Sequence, residues 1–258
     1  MATTEFEIPG ETALVTGASR GIGKRIAFQF TAKGIDTVIC SREQANVDEV
    51  ADENAASDRP GEILPIECDV REKSRVEAMI DDTVETFGGL DILVNNAGAV
   101  FHAEFDELSE NAWNTIVDIN LNGVYNVTHA ASDALKDGGG WVVNISTTRT
   151  HEAAPGETHY AAAKSGVNNL TKSLGREWAS DGVRVNCVVP GFIATPQAVT
   201  AGSIDPATIE RAEVDRQVGV VGEIADVVEF LVSDAASFLV GELVTARGVP
   251  PYLPAPED

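Results

Sequence analysis

The sequence predicts an α/β protein with a doubly wound parallel β-sheet and helices on both of its faces. Its short apolar runs are continuous rather than alternating, which is typical of parallel strands covered on both sides. Amphipathic stretches separate these runs, and this βαβ alternation favours a doubly wound sheet. At 258 residues, 43% of them hydrophobic, the chain is long enough for one large core. We therefore predict a single domain over residues 1–258, with a core at about 12–244 and a proline-rich tail at 249–258.

The predicted elements alternate along the chain. Apolar runs predict strands at residues 12–15, 37–40, 63–66, 92–94, 141–145 and 183–189. The stretches between them predict helices that include residues 24–30, 71–87, 110–135 and 160–179. No internal repeat and no low-complexity segment interrupts this order, so the core is interpreted as one α/β unit.

A glycine-rich turn joins the first predicted strand to the first predicted helix. It reads Thr16-Gly17-Ala18-Ser19-Arg20-Gly21-Ile22-Gly23. Glycines let the backbone approach phosphate oxygens closely, and the free N–H groups and positive dipole end of the following helix attract an anion. A turn of this kind standing alone could be an ordinary tight loop, but strand, turn and helix in this order predict a pyrophosphate site.

Tyr160 and Lys164 stand four residues apart in a predicted helix, so they share one helix face. An unperturbed phenol has a pKa of about 10, too high for proton exchange near neutrality. A neighbouring cation favours the phenolate and lowers that pKa. The pair therefore makes Tyr160 a candidate general acid and base.

Three further motifs stand in order along the chain. Asn95-Asn96-Ala97-Gly98 follows the fourth strand, Asn120-Leu121-Asn122-Gly123 lies in a helix, and Pro190-Gly191-x-x-x-Thr195 follows the sixth strand. With the glycine turn and the Tyr160/Lys164 pair, they make the chain resemble the compact branch of the short-chain dehydrogenase/reductase family, from about residue 12 to 244. The resemblance implies a Rossmann-type fold and hydride transfer between a nicotinamide and a carbonyl or hydroxyl carbon.

The resemblance also implies four catalytic residues: Asn120, Thr147, Tyr160 and Lys164. Lys164 would lower the pKa of Tyr160 and bind the nicotinamide ribose, while Asn120 would hold a water that links Lys164 to solvent. The family carries a serine thirteen residues before its tyrosine, where this chain has Thr147. Pro155 keeps the family spacing, so Thr147 is the expected substrate-orienting hydroxyl and Ser146 is the alternative.

The cofactor-binding residues that the resemblance implies follow the carboxyl ends of the strands. They are Gly17, Ser19, Arg20, Gly21, Ile22, Gly23, Ser41, Arg42, Asp69, Val70, Asn96, Ala97, Gly98, Tyr160, Lys164, Pro190, Gly191, Ile193 and Thr195. Among them, Asp69 would contact the adenine edge with Val70 beneath the ring. Ile193 and Thr195 would anchor the nicotinamide carboxamide.

The end of the second strand bears on the choice of cofactor. Sites that prefer NAD place a carboxylate roughly 20 residues after the glycine turn to hold the ribose 2′-hydroxyl. Here Ser41 and Arg42 replace that carboxylate, and Arg20 offers a second guanidinium. Two forked cations suit a 2′-phosphate. We therefore expect NADP(H), with NAD as the alternative because Glu43 is a contrary sign.

The charge balance is strongly acidic, with 41 Asp and Glu against 18 Lys and Arg and a net charge of −23. Such a surface repels nucleic acid and anionic membranes, so neither is expected as a partner. The composition resembles that of enzymes from extreme halophiles, in which concentrated cations screen the repulsion.

Other composition features predict a cytoplasmic protein without a metal site. Residues 1–9 show no signal peptide, and no apolar stretch approaches the ~20 residues of a membrane span. The three cysteines lie in or beside apolar strands and are expected to be reduced core thiols. The four histidines show no metal-ligand spacing.

The segment after the last strand departs from the family pattern. Relatives usually read Val-Asp-Gly-Gly there, whereas this chain has Arg247 in place of Asp and Val249 in place of the second Gly. In the family this edge commonly packs across a two-fold axis of a homotetramer. The resemblance therefore implies a homo-oligomer whose interface this segment reshapes, unless the tail is a disordered end.

Substrate identity stays open between two reactions. Residues 148–152 and 197–216 are expected to line the substrate pocket, and their polar side chains favour a polar small molecule. One interpretation is reduction of a 3-oxoacyl (β-keto) thioester, with Arg149 or Arg211 near phosphate groups. The other is oxidation of a sugar or polyol, with His151 and Glu152 accepting hydroxyl hydrogen bonds. A non-catalytic NADP-sensing scaffold is a remote alternative, since it would normally lose the Tyr or the Lys.

Overall fold

The central feature of the fold is one seven-stranded sheet. The computed structural model describes residues 6–196, 198 and 205–250. Its strands are β1 (Thr12–Thr16), β2 (Asp36–Ser41), β3 (Ile63–Glu67), β4 (Ile92–Asn95), β5 (Trp141–Ile145), β6 (Arg184–Pro190), β7 (Phe192–Ala194), β8 (Val218–Val220) and β9 (Leu243–Ala246). The main sheet has the order β3-β2-β1-β4-β5-β6-β9 and is parallel throughout, while β7 and β8 pair separately. The strand order reverses between β1 and β4, which opens a crevice at the carboxyl ends of these strands.

Helices connect the strands and cover both faces of the sheet. They are α1 (Gly21–Ala32), α2 (Gln44–Ala55), α3 (Lys73–Phe87), α4 (Glu110–Val117), α5 (Gly123–Ala130), α6 (Ser132–Lys136), α7 (Thr158–Trp178) and α8 (Val221–Val232). Side chains from α1, α2 and α8 pack on the face that carries Ala13 and Val15, whereas α3, α5 and α6 pack on the face that carries Leu14. Because both strand faces are buried, the apolar runs are continuous. The predicted doubly wound sheet is confirmed.

Strand positions agree with the prediction to within about two residues, but the predicted helix at 110–135 is interrupted. A π-helical segment, Asp118–Asn122, separates α4 from α5. Within it the buried side chain of Asn120 donates a hydrogen bond to the carbonyl of Ile116 at 2.9 Å. Such π-helical turns are frequent at functional sites.

Charge is kept at the surface of the described residues. Among their carboxylates only Glu229 is buried, and Lys164 is their one buried cation. Across residues 6–196, 198 and 205–250, no helix is long and apolar enough to cross a membrane. The same residues contain no cluster of three or more His, Cys, Asp or Glu side chains arranged to hold a metal ion.

The two ends of the predicted core contribute strands to the same sheet. Strand β1 begins at Thr12 and β9 ends at Ala246, and both belong to the main sheet. Residues 251–258 of the proline-rich tail lie outside the described part of the chain. The extent of the domain over residues 1–258 therefore stays a prediction.

Candidate active site

A cavity of about 880 Å³ lies at the carboxyl edge of the sheet, where the strand order reverses. Most of the predicted site residues line it: Gly17, Ser19, Arg20, Gly21, Ile22, Ser41, Arg42, Asp69, Val70, Asn96, Ala97, Gly98, Thr147, Tyr160, Lys164, Pro190, Gly191, Ile193 and Thr195. Two predicted residues, Gly23 and Asn120, are not part of the cavity wall. The structure therefore brings nearly all of the predicted site residues together in one cavity.

The glycine turn needs its glycines because other backbone presses against it. At Gly17 the backbone has φ +65°, and an added Cβ would lie 2.7 Å from Ala97 Cα. At Gly23 an added Cβ would lie 2.5 Å from Asn96 Nδ2. The Asn96 amide in turn donates hydrogen bonds to the carbonyls of Thr16 (2.9 Å) and Gly17 (3.0 Å). The segment after β4 thus holds the turn in shape.

The amino end of α1 opens into the cavity. Its N-cap residue, Arg20, makes no side-chain capping hydrogen bond, so the backbone donors of the first turn have no side-chain cap. Gly21, with φ +61°, faces Thr195 across the cleft, and an added Cβ would lie 3.8 Å from that side chain. A narrow cleft, a helix amino end and glycine backbone fit the pyrophosphate of a dinucleotide.

The end of the cavity where the sequence analysis expects the adenine ribose carries two arginines. Arg20 and Arg42 are both exposed, and within the described residues neither forms an ion pair. The Ser41 hydroxyl donates to the carbonyl of Glu43 at 2.9 Å. Asp69 accepts hydrogen bonds from the Arg71 guanidinium at 2.6–3.1 Å, and this partner holds its pKa below the usual range. Both cations are therefore available to a bound anion.

Asn120 ties the cavity wall to the helix behind it. It is fully buried; its side-chain amide donates to the carbonyls of Ala99 (2.8 Å) and Ile116 (2.9 Å). Its Oδ1 accepts from the Ala99 N–H at 3.3 Å. An added Cβ at Gly98 would lie 2.8 Å from this Oδ1 and 3.7 Å from Lys164 Nζ. A side chain at position 98 would therefore crowd both polar groups.

Lys164 is buried although it carries a titratable amine. Its Nζ donates to the carbonyl of Ile145 at 2.7 Å, and only 2% of the residue is exposed. Burial disfavours the charged form and lowers its pKa to about 8. At neutral pH the amine is mostly protonated, yet it titrates far closer to neutrality than an exposed lysine.

Tyr160 is half-buried and lines the same cavity wall as Thr147. Burial raises its pKa to about 12, and hydrogen bonding to the Thr147 hydroxyl opposes the shift. The expected lowering of this pKa by Lys164 is wrong for this geometry, because the lysine ammonium is directed at the Ile145 carbonyl instead. The phenol is therefore a fully protonated donor at neutral pH.

Thr147 and Ser146 occupy different environments. Thr147 contacts Tyr160 and also accepts a hydrogen bond from the Arg149 N–H at 3.3 Å. The hydroxyl of Ser146 is buried and lies beside the thiol of Cys187. Only the threonine hydroxyl therefore meets the phenol.

An ion pair that the sequence did not reveal lies at the same end of the cavity. Arg149 Nε lies 3.0 Å from Glu157 Oε2, and both residues line the wall. The charge of Arg149 lowers the Tyr160 pKa and that of Glu157 raises it. Sequence spacing gave no signal for the pair because the seven residues between the partners have no periodicity.

Other predicted pocket residues lie elsewhere. His151 and Glu152 are not part of the wall, and Glu152 pairs with Arg247 at 3.1 Å. Arg211 also lies outside the wall and pairs with Asp226 at 2.5 Å. In the predicted pocket segment 197–216, residues 197 and 199–204 lie outside the described part of the chain. Arg149 is therefore the predicted phosphate-binding arginine that lines the cavity.

Comparison with known proteins matches this arrangement over almost the whole chain. A family model described as enoyl-(acyl carrier protein) reductase matches residues 17–248. The 3-oxoacyl-(acyl-carrier-protein) reductase FabG of Thermotoga maritima is 33% identical over 245 residues, which cover 94% of this chain and 98% of that protein. The peroxisomal 2,4-dienoyl-CoA reductase of Danio rerio is 36% identical over 248 residues, which cover 92% and 80%.

Solved structures show the same likeness. A short-chain type dehydrogenase/reductase from Mycobacterium marinum superposes with a TM-score of 0.85 at 32% identity, covering 94% of this chain and 96% of that one. A short chain dehydrogenase from Bacillus anthracis gives 0.80 at 34% identity, covering 92% and 95%. Sequence and structure are therefore similar to the same group of proteins along nearly their full length.

Proposed function

This chain belongs to the short-chain dehydrogenase/reductase family, and we propose that it reduces the ketone of a 3-oxoacyl thioester with NADP(H). The observation that carries the proposal is that Thr147, Tyr160 and the buried Lys164 line one end of a cavity whose other end is the glycine turn. Similarity to 3-oxoacyl-(acyl-carrier-protein) reductases at 33% and 35% identity supports the substrate class.

In this proposal Tyr160 acts as the general acid. Bound NADP(H) would supply the hydride. Because its pKa is raised to about 12, Tyr160 carries its proton at neutral pH and can donate it to the ketone oxygen. The Thr147 hydroxyl orients the same oxygen and stabilises its developing negative charge. Proton donation at this position avoids an unstable alkoxide.

Lys164 and Asn120 support the proton donor. Lys164 would bind the nicotinamide ribose, and its pKa of about 8 suits proton exchange near neutrality. Asn120 fixes the segment at Ala99 and places its Oδ1 on the same side of Gly98 as the lysine amine. We propose that a water held by Asn120 connects Lys164 to solvent and restores the proton to Tyr160.

The proposed preference for NADP(H) depends on the two exposed arginines. Arg20 and Arg42 are unpaired among the described residues and would hold the 2′-phosphate in charge-assisted hydrogen bonds. Glu43 and Glu49 also line this end of the cavity and would oppose the same anion. We propose that attraction of the 2′-phosphate by the arginines exceeds its repulsion by the carboxylates, because the guanidinium groups make closer, forked contacts.

The main competing substrate class is a conjugated alkene, since the family model and the zebrafish relative are described as enoyl and dienoyl reductases. The Thr147–Tyr160 pair favours the ketone because two hydroxyls in one cavity wall can both hydrogen-bond a substrate oxygen, which an alkene lacks. The sugar or polyol alternative loses support, because His151 and Glu152 do not line the cavity.

A substrate panel tests this function. Acetoacetyl thioester, crotonyl thioester, aldoses and polyols are compared in molar salt by the absorbance of reduced nicotinamide. A site built to hydrogen-bond an oxygen discriminates by about 10⁴ against an analogue that lacks it, so we expect turnover of the oxo-thioester and almost none of the alkene. Faster turnover of the alkene or of a polyol would overturn the proposal. NADPH binding without turnover of any member would favour the scaffold.

We also propose that the protein is cytoplasmic and homotetrameric, and that its acidic surface suits concentrated salt. Exposed aromatic side chains such as Phe105 (65%) and Phe238 (99%) offer contact surface for further subunits. A net charge of −23 with only one described carboxylate buried places the repulsion at the surface, where salt screens it. Thermal midpoints should therefore rise across a KCl series, and a constant midpoint would contradict the salt proposal.

A further inference from the structure

An ion pair joins the two segments that carry the hydroxyls of the reacting end of the cavity. Arg149 lies in the short turn that follows Thr147, and its backbone N–H donates to the Thr147 hydroxyl at 3.3 Å. Glu157 is the N-cap residue of α7 and stands three positions before Tyr160. Arg149 Nε and Glu157 Oε2 lie 3.0 Å apart. All four residues line the cavity, so the ion pair lies beside the two hydroxyls.

The guanidinium of Arg149 keeps donors for a further ligand. Its closest approach to Glu157 is through Nε, and no group among the described residues accepts a hydrogen bond from its Nη atoms. The side chain is 49% exposed in the cavity wall. Of the other cations in the described part of this wall, Arg20 and Arg42 lie at the phosphate end, and Lys164 is buried against backbone. Arg149 is therefore the exposed cation that the described residues offer at the reacting end.

The charge of Glu157 decides which ligand suits these donors. A guanidinium beside a carboxylate forms a pair without net charge, and Glu157 would repel an anion that approached the same side chain. A neutral carbonyl oxygen accepts a hydrogen bond from a guanidinium without that repulsion. The ion pair therefore favours an uncharged acceptor over a carboxylate or a phosphate.

We propose that Arg149 is a specificity-determining residue that binds the thioester carbonyl oxygen of the 3-oxoacyl substrate, an inference that rests on the proposed function. In this substrate one methylene group separates the ketone from the thioester carbonyl. Thr147 and Tyr160 would hold the ketone oxygen, and Arg149, whose backbone is bonded to Thr147, would hold the second oxygen. Two points of attachment fix the orientation of the ketone before hydride transfer.

This assignment differs from the phosphate contact that the sequence suggested for Arg149. In a thioester of a carrier or coenzyme, the phosphate groups lie at the far end of a long arm, many bonds from the ketone. The Arg149 backbone is hydrogen-bonded to Thr147, so its side chain starts from the reacting end. The thioester carbonyl is the polar group that this substrate places there.

A matched pair of substrates tests the contact. The acetoacetyl thioester of N-acetylcysteamine is compared with the corresponding thioether, in which a methylene group replaces the thioester carbonyl. Arg149→Met removes the donors and should lower kcat/KM for the thioester by about 10- to 100-fold, the loss expected for a hydrogen bond to a charged group. The value for the thioether should stay within a few-fold of wild type. Arg176→Met, which removes an exposed charge outside the cavity wall, should leave both values unchanged.

The thioether distinguishes specificity from a structural role. An equal loss for both compounds in Arg149→Met would show that the residue only supports the fold, and would overturn the assignment. If thioether turnover is slow, its inhibition of thioester reduction gives a binding constant for the same comparison. Wild-type protein that reduces no 3-oxoacyl thioester would overturn the proposed function together with this contact. Reduction of the thioester with an unchanged kcat/KM in Arg149→Met would overturn the contact alone.

Free acetoacetate tests the part played by Glu157. Glu157→Gln leaves the guanidinium without its partner charge, and should raise kcat/KM for acetoacetate relative to the thioester by roughly 2- to 5-fold, the range of a part-exposed ion pair. Both substrates meet the same phenol, so this ratio cancels any change in the pKa of Tyr160, which the charge of Glu157 raises. An unchanged ratio would contradict the preference for an uncharged acceptor. A loss in Arg149→Met that is larger for acetoacetate than for the thioester would assign Arg149 to anions and overturn the proposal.

Discussion

The two ends of the cavity are built in opposite ways. At the catalytic end, defined by Asn120, Thr147, Tyr160 and Lys164, the side chains are buried or half-buried and tied to one another or to backbone. At the phosphate end, defined by Arg20 and Arg42, the side chains are exposed and unpaired within the described residues. Fixed geometry and shifted pKa values require burial. Attraction of a phosphate requires only reachable charge, so the two ends should respond differently to substitution.

The largest effect is expected at the phenol. Tyr160→Phe removes the proton donor and should lower kcat by about 10²- to 10⁴-fold. Tyr125→Phe removes a hydroxyl that is 50% exposed on α5 and serves as the control. Steady-state kinetics with NADPH and an oxo-thioester measure both. If Tyr160→Phe kept more than about a tenth of wild-type kcat, another group would be the acid.

The second-largest effect is expected at the substrate-orienting hydroxyl of Thr147. Thr147→Val keeps the shape and deletes the oxygen, and should lower kcat by about 10²-fold, as expected for losing a donor to developing negative charge. Thr147→Ser should retain activity, and Ser146→Ala should cost little because that hydroxyl lies beside Cys187 instead. A large loss of kcat in Ser146→Ala together with a small loss in Thr147→Val would assign the substrate-orienting role to Ser146.

At the phosphate end, Arg42→Ala should change cofactor choice rather than catalysis. A charge-assisted hydrogen bond contributes about 1.5–3 kcal/mol, so the ratio of kcat/KM for NADPH over NADH should fall by about 10- to 100-fold. Arg176→Ala removes an exposed charge near the end of α7, outside the cavity, and should leave the ratio unchanged. A wild-type enzyme that favours NADH would contradict the assignment of both arginines.

The smallest expected effect is on stability at the catalytic end. The folded-state pKa of Lys164, about 8, lies below its ordinary 10.5, so between these values the unfolded chain binds more protons. The free energy of unfolding should therefore rise with pH in that window, by about 2–3 kcal/mol between pH 8 and 10. Tyr160, whose pKa is raised to about 12, opposes this trend only above pH 10.

Denaturant titrations from pH 7 to 10 measure this contribution. Lys164→Met should lose the rise, whereas Lys172→Met, which removes an exposed lysine of the same helix, should keep it. Equal pH dependence in wild type and Lys164→Met would show that burial does not shift this amine.

Sequence patterns predicted the scaffold because its signals are local. Continuous apolar runs placed the strands of the main sheet, and the glycine turn and Tyr160/Lys164 spacing located the cavity. The interruption at Asp118–Asn122 was missed, since a π-helical turn preserves the amphipathic pattern on either side. The direction of the Tyr160 pKa was also missed, because it depends on burial and on where Lys164 Nζ points, and neither is encoded in a four-residue spacing.

Contacts between distant parts of the chain were likewise beyond sequence reasoning. The pairing of Glu152 with Arg247 joins residues 95 positions apart and removes a predicted substrate contact. Such contacts follow from sheet register and loop packing, which single-sequence patterns do not specify.

The separation of proton transfer at the catalytic end from cofactor binding at the phosphate end is tested most directly with Tyr160→Phe. Both the NADPH dissociation constant and the kcat of this variant are measured. Since the substitution deletes only the proton-donating oxygen, we predict an affinity within a few-fold of wild type and a kcat lower by about 10²-fold or more. A loss of NADPH affinity as large as the loss of kcat would contradict the account, because Tyr160 would then act in binding the cofactor rather than in moving the proton.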